Sequence, residues 1–406
     1  MIFLEVWVRL EEGSLARAGD LAFGDADAQG RFPSEFQYAN EWLRERATFA
    51  LDPVGLPPGT QRYAAQGLRP SLAVFEDALP DAWGRRLLIM ERRLPAGKRG
   101  VPFLLRELGA DGLGALAFSP AGEPAPATRS DAVVHLDDLM AAADAFERGI
   151  PVPAERLRRL LAAGSTPGGA RPKALVRDGA NVEWIAKFPS VVLDGGLDVV
   201  GLEAACLVMA HAAGIEVPEA QLARVGAGRR ALLVRRFDIA PAGGRRHMVS
   251  LRTLCRDSPE NPVGTYTELA ERIRLVSAHP AEDVARFFRR MVFNAAIGNT
   301  DDHLKNFWML RHAEGYRLTP AFDLVPDVGG NREHVLAFRF ERLPPSRRDL
   351  LEVARGWGVV DAGTGIDAVV RAVSDFVNTA RQCGVARTSI ERFRADIDER
   401  LERLRR

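Results

Sequence analysis

The sequence predicts an α+β fold in which a strand-rich amino-terminal part precedes a mostly helical carboxy-terminal part. Two patterns support this prediction. Alternating apolar residues and turn signals open the chain, as in the stretch from Ile2 to Leu10, whereas apolar residues at helical spacing dominate beyond Asp238. The 406 residues are also long for one compact core, so we expect more than one domain.

The composition is that of an ordinary globular protein. Hydrophobic residues make up 47% of the chain, and 55 Lys and Arg residues nearly cancel 54 Asp and Glu residues. This balance does not indicate a nucleic-acid-binding face of its own, because phosphate binding needs a basic excess. We therefore interpret the short arginine clusters as solvated surface. These clusters are Arg235–Arg236, Arg245–Arg246 and Arg403–Arg406.

Cysteine usage and the chain start indicate a soluble cytoplasmic protein with no membrane partner. Cys206, Cys255 and Cys383 are far apart and lack Cys-x-x-Cys spacing, so each is predicted to be a buried or partly buried thiol in a reducing cytosol. Met1–Glu12 alternates like a strand rather than a signal peptide. No apolar run is long enough to cross a bilayer.

The chain divides at a stretch rich in Pro, Ala and Gly between Ser119 and Ala132, which predicts a connection between domains. We expect an amino-terminal subdomain at 1–120, a region with a Gly-rich loop at 121–240, and a helical lobe at 241–406. Two short helices, 135–146 and 154–163, should follow the connection.

The middle region reads as a Gly-rich loop, 164–173, that leads into a hairpin. Asp178-Gly179 between two alternating segments predicts strands Ala174–Arg177 and Glu183–Phe188. Further elements follow from apolar spacing and stop signals: a helix at 202–213, strands at 221–225 and 230–235, a buried helix at 281–297, a strand pair at 307–310 and 316–319, and a charged helix at 389–406.

Asp301, Asn306 and Asp323 are residue types that phosphoryl transfer needs. A carboxylate must orient the attacking hydroxyl and accept its proton, and oxygen ligands must hold magnesium against the phosphates. Protein kinases use this Asp-to-Asn spacing, although Asn299-Thr300 stands here in place of His-Arg. His303 follows Asp301 by two residues, as in the Asp-x-His-x-x-Asn loop of lipid kinases.

Two other readings of the Asp-Asp-His cluster stay open. It could be a polar turn that ends the 281–297 helix, since Asn, Thr and Asp favour turns. It could also be a divalent-metal hydrolase site. The other histidines show no paired ligand spacing, and Phe322-Asp323 lies at the distance that a kinase needs, so the phosphoryl-transfer reading is favoured.

Lys187 lies in the apolar strand around Trp184 and is costly to bury unless an anion meets it. The phosphates of ATP would be that anion; a lysine that reaches solvent from the strand end is the alternative. Glu203 is its candidate partner, or an acidic residue favoured near a helix N-terminus.

The Gly-rich loop offers backbone amides to phosphates, and Lys173 adds a charge, although the spacing is not that of a Walker A loop. Ser165 and Thr166 could accept phosphate or be ordinary turn residues. Val234–Asp238 falls where two lobes would join, so its backbone should meet adenine with Phe237 near the ring. This order of parts is typical of a two-lobed protein kinase.

The combined motifs resemble the HipA family, Ser/Thr-kinase toxins of bacterial type II toxin–antitoxin systems. Five motifs carry the resemblance in the second part of the chain: Ser165-Thr-x-Gly-Gly-Ala-Arg-Pro-Lys173, Ile185-Ala-Lys-Phe188, Val234-x-Arg-Phe-Asp238, Asn299-Thr-Asp-Asp-His-x-Lys-Asn-Phe307 and Leu318-Thr-Pro-Ala-Phe-Asp323. Two more resemble its amino-terminal subdomain: Leu79-Pro-Asp-Ala-Trp-Gly-Arg-Arg-Leu87 and Gly114-Ala-Leu-Ala-Phe-Ser119.

The resemblance implies ATP and Mg²⁺ as cofactors. It implies that Asp301 is the catalytic aspartate, with His303 near the phosphates, and that Asn306 and Asp323 bind magnesium. The nucleotide-binding residues that it implies are Gly168, Gly169, Ala170, Lys173, Lys187, Arg235, Phe237 and His303. Members can autophosphorylate a loop serine; Thr166 matches that position, with Ser165 adjacent. Arg235 replaces a glutamate that is frequent in the family.

The resemblance also implies partners. They are a HipB-like helix-turn-helix antitoxin, operator DNA contacted mainly through that antitoxin, and a protein substrate such as an aminoacyl-tRNA synthetase. A small-molecule kinase on the same fold and a non-catalytic corepressor are the alternatives. Every catalytic position is filled, which disfavours the corepressor.

Overall fold

The protein is described here by a computed structural model that covers residues 1–45, 48–65, 72–127, 135–163, 171–226, 228–258 and 262–406. The strands within these ranges form three antiparallel sheets, of five, four and three strands, in chain order. Helices pack around each sheet and form most of the last third. The predicted α+β class is confirmed.

The first sheet is built on the alternation at the chain start, because Leu4, Val6 and Val8 point into the core while their neighbours do not. Its strand order is β4-β3-β2-β1-β5. The elements are β1 Ile2–Arg9, β2 Leu15–Phe23, β3 Ser34–Tyr38, α1 Asn40–Arg44, β4 Arg62–Ala64, α2 Ala73–Asp77, α3 Ala82–Glu91, α4 Val101–Leu108 and β5 Leu116–Pro120.

The second sheet contains the predicted hairpin and has the order β6-β7-β9-β8. Asp178 accepts hydrogen bonds from the backbone N–H groups of Ala180 and Val182, and Asn181 takes the positive φ of the turn. The elements of this region are α5 Leu136–Glu147, α6 Ala154–Ala163, β6 Lys173–Arg177, β7 Glu183–Lys187, α7 Val199–Ala212, β8 Ala220–Val225 and β9 Arg229–Arg235.

The third sheet, in the order β10-β11-β12, is surrounded by helices. The central one buries Phe287, Phe288 and Met291, as the apolar spacing predicts. The elements are β10 Met248–Ser250, α8 Leu251–Leu254, α9 Tyr266–Val276, α10 Pro280–Ile297, β11 Trp308–His312, β12 Gly315–Leu318, α11 Arg347–Trp357, α12 Ala362–Ser374, α13 Phe376–Gln382 and α14 Arg387–Arg405.

The cysteines, the length of the helices and the connection between domains were each predicted from the sequence. Cys206 and Cys255 are buried and Cys383 is half-buried, as predicted. No helix in the described ranges is long and apolar enough to span a membrane. The connection predicted between Ser119 and Ala132 lies partly outside the described residues, and the domain boundaries at 120 and 240 stay predictions.

The interpretation of two arginine clusters as solvated surface is wrong. Arg236 is buried, and its guanidinium donates to Asp238 at 2.6 Å and to Glu183 at 3.1 Å. Arg245, whose side chain is only 10% exposed, lies 3.2 Å from the same Glu183. The sequence pattern does not reveal that these arginines are buried, because one of their partners is distant in the chain. Glu183 lies at the start of β7, and Asp238 lies in the turn that follows Arg236.

Candidate active site

The loop 299–306 begins where α10 ends. Gly298 adopts the left-handed conformation that closes the helix, and the chain then turns away. The Asn299 side-chain amide donates to Asn294 Oδ1 at 3.1 Å and to the backbone oxygen of Asp323 at 3.3 Å. Asn299 therefore fixes the start of this loop against the turn that carries Asp323.

Within the loop, Asn306 and Asp301 are held together. Asn306 Nδ2 donates to the Asp301 backbone oxygen at 2.8 Å, which leaves Asn306 Oδ1 buried and without a hydrogen-bond partner among the described residues. The Asp301 carboxylate is 70% exposed, and His303 Nε2 lies 3.9 Å from it. Partial enclosure in the cleft, with the nearby Asp323 carboxylate, raises the pKa of Asp301.

Lys187 lies between two carboxylates, since its ammonium contacts both Glu203 of α7 and Asp323. Burial alone would lower the pKa of Lys187, but the two carboxylates outweigh it and raise that pKa. Burial would likewise raise the pKa of Asp323, yet Lys187 and Lys173 bring it down to about 2. Both groups are therefore charged at neutral pH, and the predicted Lys187–Glu203 contact is present.

Lys173 is the cross-strand neighbour of Lys187 in the hairpin, so both side chains leave the same face of the sheet. Lys173 is buried, and its Nζ lies 2.7 Å from Asp81 Oδ2. Asp81 precedes α3, where its other carboxylate oxygen accepts from the Gly84 N–H at 2.8 Å. The amino-terminal half thus supplies a counter-charge at the edge of the cleft.

Two cavities meet at Lys187. One, which we call the polar cavity, is lined by charged and amide side chains together with Pro172, Phe188 and three valines. The other, the apolar cavity, is lined mainly by Ile185, Val234, Phe237, Met248 and Phe322. An apolar slot beside a pocket that contains Lys173 and Lys187 suits a nucleotide, whose flat base would lie in the first while its phosphates would meet the two lysines in the second.

The polar cavity also fits a magnesium ion. The described residues contain no group of three or more His, Cys, Asp or Glu side chains that could hold a metal. Magnesium does not require one, because it is usually bound by one or two protein oxygens together with phosphates and water. The unpartnered Asn306 Oδ1 and the ionised Asp323 carboxylate are two such oxygens at one site.

Most of the predicted site residues converge here. Arg235 and Phe237 line the apolar cavity, but the Arg235 guanidinium points to exposed Glu219 at 3.0 Å. The predicted residues that line the polar cavity are Lys173, Lys187, Glu203, Asp301, His303, Asn306 and Asp323. The remaining predicted residues lie outside the described ranges: Ser165, Thr166, Gly168, Gly169 and Ala170.

Sequence reasoning missed Asp302, the neighbour of Asp301. Asp302 is fully buried and accepts hydrogen bonds from Tyr266 Oη, from the Val335 N–H at 2.9 Å and from His334 Nδ1 at 3.0 Å. Since His334 donates through Nδ1, its Nε2 accepts from Arg400 Nη1 of α14 at 3.3 Å. No local pattern signals this role, because these partners lie more than 30 residues away in the chain.

Sequence reasoning also missed Arg290, a charged residue on the apolar face of α10. Its guanidinium donates to the Asn306 backbone oxygen at 2.6 Å and lies 4.6 Å from the Phe307 ring centroid and 5.5 Å from that of Phe322. It therefore supports the end of the 299–306 loop and the start of the Asp323 turn together. An arginine at an apolar helical position was the signal.

Comparison with known proteins decides the family. Residues 15–119 match the profile described as the HipA N-terminal domain, and residues 165–403 match the HipA-like C-terminal domain. The chain belongs to the HipA family. The predicted resemblance is thereby confirmed.

Two curated relatives and one solved structure are similar to the chain. The chain is 28% identical over 382 residues to "Putative kinase Y4mE" of Sinorhizobium fredii, covering 86% of this chain and 85% of that protein. It is 32% identical over 183 residues to "Putative kinase Y4dM" of the same organism, covering 41% and 42%. The Shewanella oneidensis HipA structure, solved with HipB and operator DNA, superposes on the chain with a TM-score of 0.68 at 19% sequence identity. The superposition covers 98% of this chain and 97% of that chain, so the two proteins share a fold.

Proposed function

We propose that this HipA-family protein is a Mg-ATP-dependent protein Ser/Thr kinase that acts as the toxin of a toxin–antitoxin pair. The observation that supports it most is the convergence of Asp301, Asn306, Asp323 and Lys187 on the polar cavity. These residues come from β7, from the loop after α10 and from the turn after β12, so the fold alone brings them together. The relatives that are named as kinases support the same activity.

Each residue has a role that follows from its surroundings. Lys187, kept charged by Glu203 and Asp323, attracts the phosphates and orients them toward Asp301. Asp301 receives the proton of the attacking hydroxyl, and its raised pKa makes it a better acceptor than an ordinary surface aspartate. Asn306 and Asp323 would hold magnesium, which when bound neutralises charge on the transferring phosphoryl group.

A protein acceptor is favoured over a small molecule because Asp301 is largely open to solvent. A hydroxyl on a large partner can reach an exposed carboxylate, whereas small-molecule sites usually enclose their substrate. We further propose that the protein substrate is an aminoacyl-tRNA synthetase and that the kinase acts in the cytoplasm.

We also propose that the chain divides into three parts, with boundaries at 120 and 240.

The antitoxin partnership is part of the same proposal. The Shewanella oneidensis relative was solved with HipB and operator DNA. A net charge of +1 supports contact with operator DNA mainly through such a partner. Phosphorylation of Thr166 or Ser165 by the kinase itself is a further element of the proposal.

Labelled γ-phosphate transfer tests the proposal. The full chain and its Asp301→Gln variant are incubated with Mg-ATP and a cell extract, and labelled proteins are identified by mass spectrometry. We expect incorporation into extract protein to fall by roughly 10²–10⁴-fold in the variant, the usual contribution of a general base. A substitution of exposed Asp361 serves as the control and should leave the rate unchanged. Equal incorporation by both proteins would refute the assignment of Asp301.

A further inference from the structure

A cavity of about 350 Å³ lies apart from the two cavities of the candidate active site. It is formed by the end of β1 and the turn after it, by Phe49, by Arg245–His247 before β10, and by the β11–β12 turn. Among the described residues, it shares none of its lining with the polar or the apolar cavity. Because it spans the first and third sheets, which belong to different parts of the chain, we call it the intersheet cavity.

The charges that line the intersheet cavity do not balance. Among the described lining residues, Arg9, Arg245, Arg246 and Arg311 supply four positive charges, against two negative charges from Glu11 and Glu12. Glu183, which lies 3.2 Å from Arg245 just outside the lining, reduces this excess but does not remove it. Burial lowers the pKa of His247 to about 4, and it lowers the pKa of His312 as well, so both imidazoles are neutral at pH 7. A positive excess in a partly enclosed space attracts an anion more strongly than the same excess on open surface.

Polar atoms of the lining also lack partners. Within the described residues, Arg245 Nη1 and Arg246 Nε are buried and make no hydrogen bond. Each has a carboxylate only at ion-pair distance, since Asp238 lies 3.8 Å from Arg245 Nη1 and Glu11 lies 3.6 Å from Arg246 Nε. His247, only 2% exposed, uses Nε2 on the Leu51 backbone oxygen at 2.8 Å, and its Nδ1 is left as an unpartnered acceptor. Buried polar atoms without partners are costly, and a ligand that satisfies them regains that free energy.

Arg311 supplies a further guanidinium to the cavity. Its Cζ lies 5.4 Å from the Phe49 ring centroid, and it forms no ion pair with any carboxylate in the described ranges. Stacking on an aromatic ring holds the planar guanidinium in place while its N–H groups stay available for an oxyanion.

We infer that the intersheet cavity binds a small phosphomonoester. Guanidinium forks match the paired oxygens of a phosphate, which would accept from the unpartnered N–H groups of Arg245 and Arg246. The cavity volume lies in the range of small-molecule sites. Glu11, Glu12 and His247 Nδ1 are acceptors that suit hydroxyl groups on the remainder of the ligand, and the two glutamates repel an extended polyanion.

Titration calorimetry with inorganic phosphate and with ribose 5-phosphate tests this inference. The full chain is titrated at low ionic strength in the presence of saturating non-hydrolysable ATP analogue, which occupies the candidate active site. Saturable binding of ribose 5-phosphate is expected, with inorganic phosphate competing. In Arg311→Gln and Arg246→Gln the dissociation constant should rise at least about tenfold, that is about 1.4 kcal/mol.

The matched control is Arg348→Gln, which removes an 87% exposed arginine of α11 and should bind like the unaltered protein. Circular dichroism checks that each variant is folded, and Arg311→Gln removes no ion pair among the described residues. Absence of saturable binding in the unaltered protein would overturn the inference. So would binding by both cavity variants that is as tight as that of the unaltered protein. Competition by phosphate alone, with no gain from the sugar hydroxyls, would also contradict the assignment of a phosphomonoester.

Discussion

At the scale of single residues, Asn306 is the most instructive member of the site. Its amide nitrogen is used on the Asp301 backbone oxygen, and this orients the unpartnered Oδ1. The side chain thus does two things, since one end fixes the loop and the other end is the candidate metal ligand. Substitutions can separate the two, because alanine removes both and aspartate removes only the amide donor.

We predict that Asn306→Ala raises the Mg²⁺ concentration for half-maximal kinase activity by about tenfold or more. Asn306→Asp keeps an oxygen at the ligand position and should stay closer to the unaltered protein in its Mg²⁺ requirement. Activity measured against MgCl₂ at fixed ATP gives the answer. Asn378→Ala, an exposed asparagine of α13, is the control. An unchanged Mg²⁺ requirement in Asn306→Ala would rule out the ligand role.

The site residues that could be predicted from the sequence share a property, which is that their spacing along the chain is typical of their chemical role. Asp301, Asn306 and Asp323 fall within 23 residues of one another, and Asp178-Gly179 marks the hairpin that aligns Lys173 with Lys187. Asp302, by contrast, is explained only by partners that lie more than 30 residues away in the chain. Local pattern cannot reveal such partners.

At the scale of secondary-structure elements, Asp302 ties the 299–306 loop to residues 334–336 and, through His334, to α14. We predict that Asp302→Asn destabilises the protein by about 2–4 kcal/mol, because a buried acceptor for four donors becomes partly a donor itself. The turnover number should fall while KM for ATP changes little, since Lys173 and Lys187 lie on the hairpin.

Urea unfolding and steady-state kinetics measure the two effects of Asp302→Asn. Asp361→Asn, at a helix start where the side chain makes no capping hydrogen bond, is the matched control. If Asp302→Asn unfolds at the same urea concentration and keeps the same turnover number as the control, the positioning role is wrong.

Asp77, at the end of α2, connects the amino-terminal helices to the third sheet. Its carboxylate accepts from the Ser250 N–H and from Ser250 Oγ, each at 2.8 Å. Complete burial raises its pKa to about 6 despite these hydrogen bonds. The folded protein therefore holds this proton more tightly than the unfolded chain, so the Asp77 contribution to stability falls as pH rises from about 4 to 6 and is constant above that.

We predict that Asp77→Asn removes this pH dependence. The free energy of unfolding of the unaltered protein, minus that of the variant, should decrease between pH 4 and pH 6 by an amount on the order of 3 kcal/mol. Urea denaturation in steps across this range measures the difference. A difference that is flat, or that increases with pH, would contradict the assignment.

At the scale of the whole molecule, the class of fold and most elements were predictable, whereas the contacts between the parts were not. The β1 alternation, the hairpin and the apolar face of α10 each follow from local periodicity. The burial of Arg236 beneath Asp238 and Glu183, and the contact of Asp238 with the Gly114 N–H at 2.9 Å, depend on packing of distant segments. Arg236 and Asp238, whose charge would suggest an exposed position, are instead buried and join segments that are distant in the chain.

Asp81 and Lys173 form the link that bears most directly on the site. Lys173→Met leaves the buried Asp81 carboxylate without its counter-charge and should destabilise the protein by about 3–5 kcal/mol. Asp81→Asn, which can still cap α3, should cost less because Lys173 also interacts with Asp323. The double variant should be more stable than Lys173→Met alone. The control is a double-mutant cycle on the exposed pair Arg235 and Glu219, whose side chains are 53% and 59% exposed. Its coupling free energy should be below about 1 kcal/mol. Additive effects of Asp81→Asn and Lys173→Met, measured by urea unfolding, would show that the amino-terminal half and the nucleotide hairpin are not coupled through this pair.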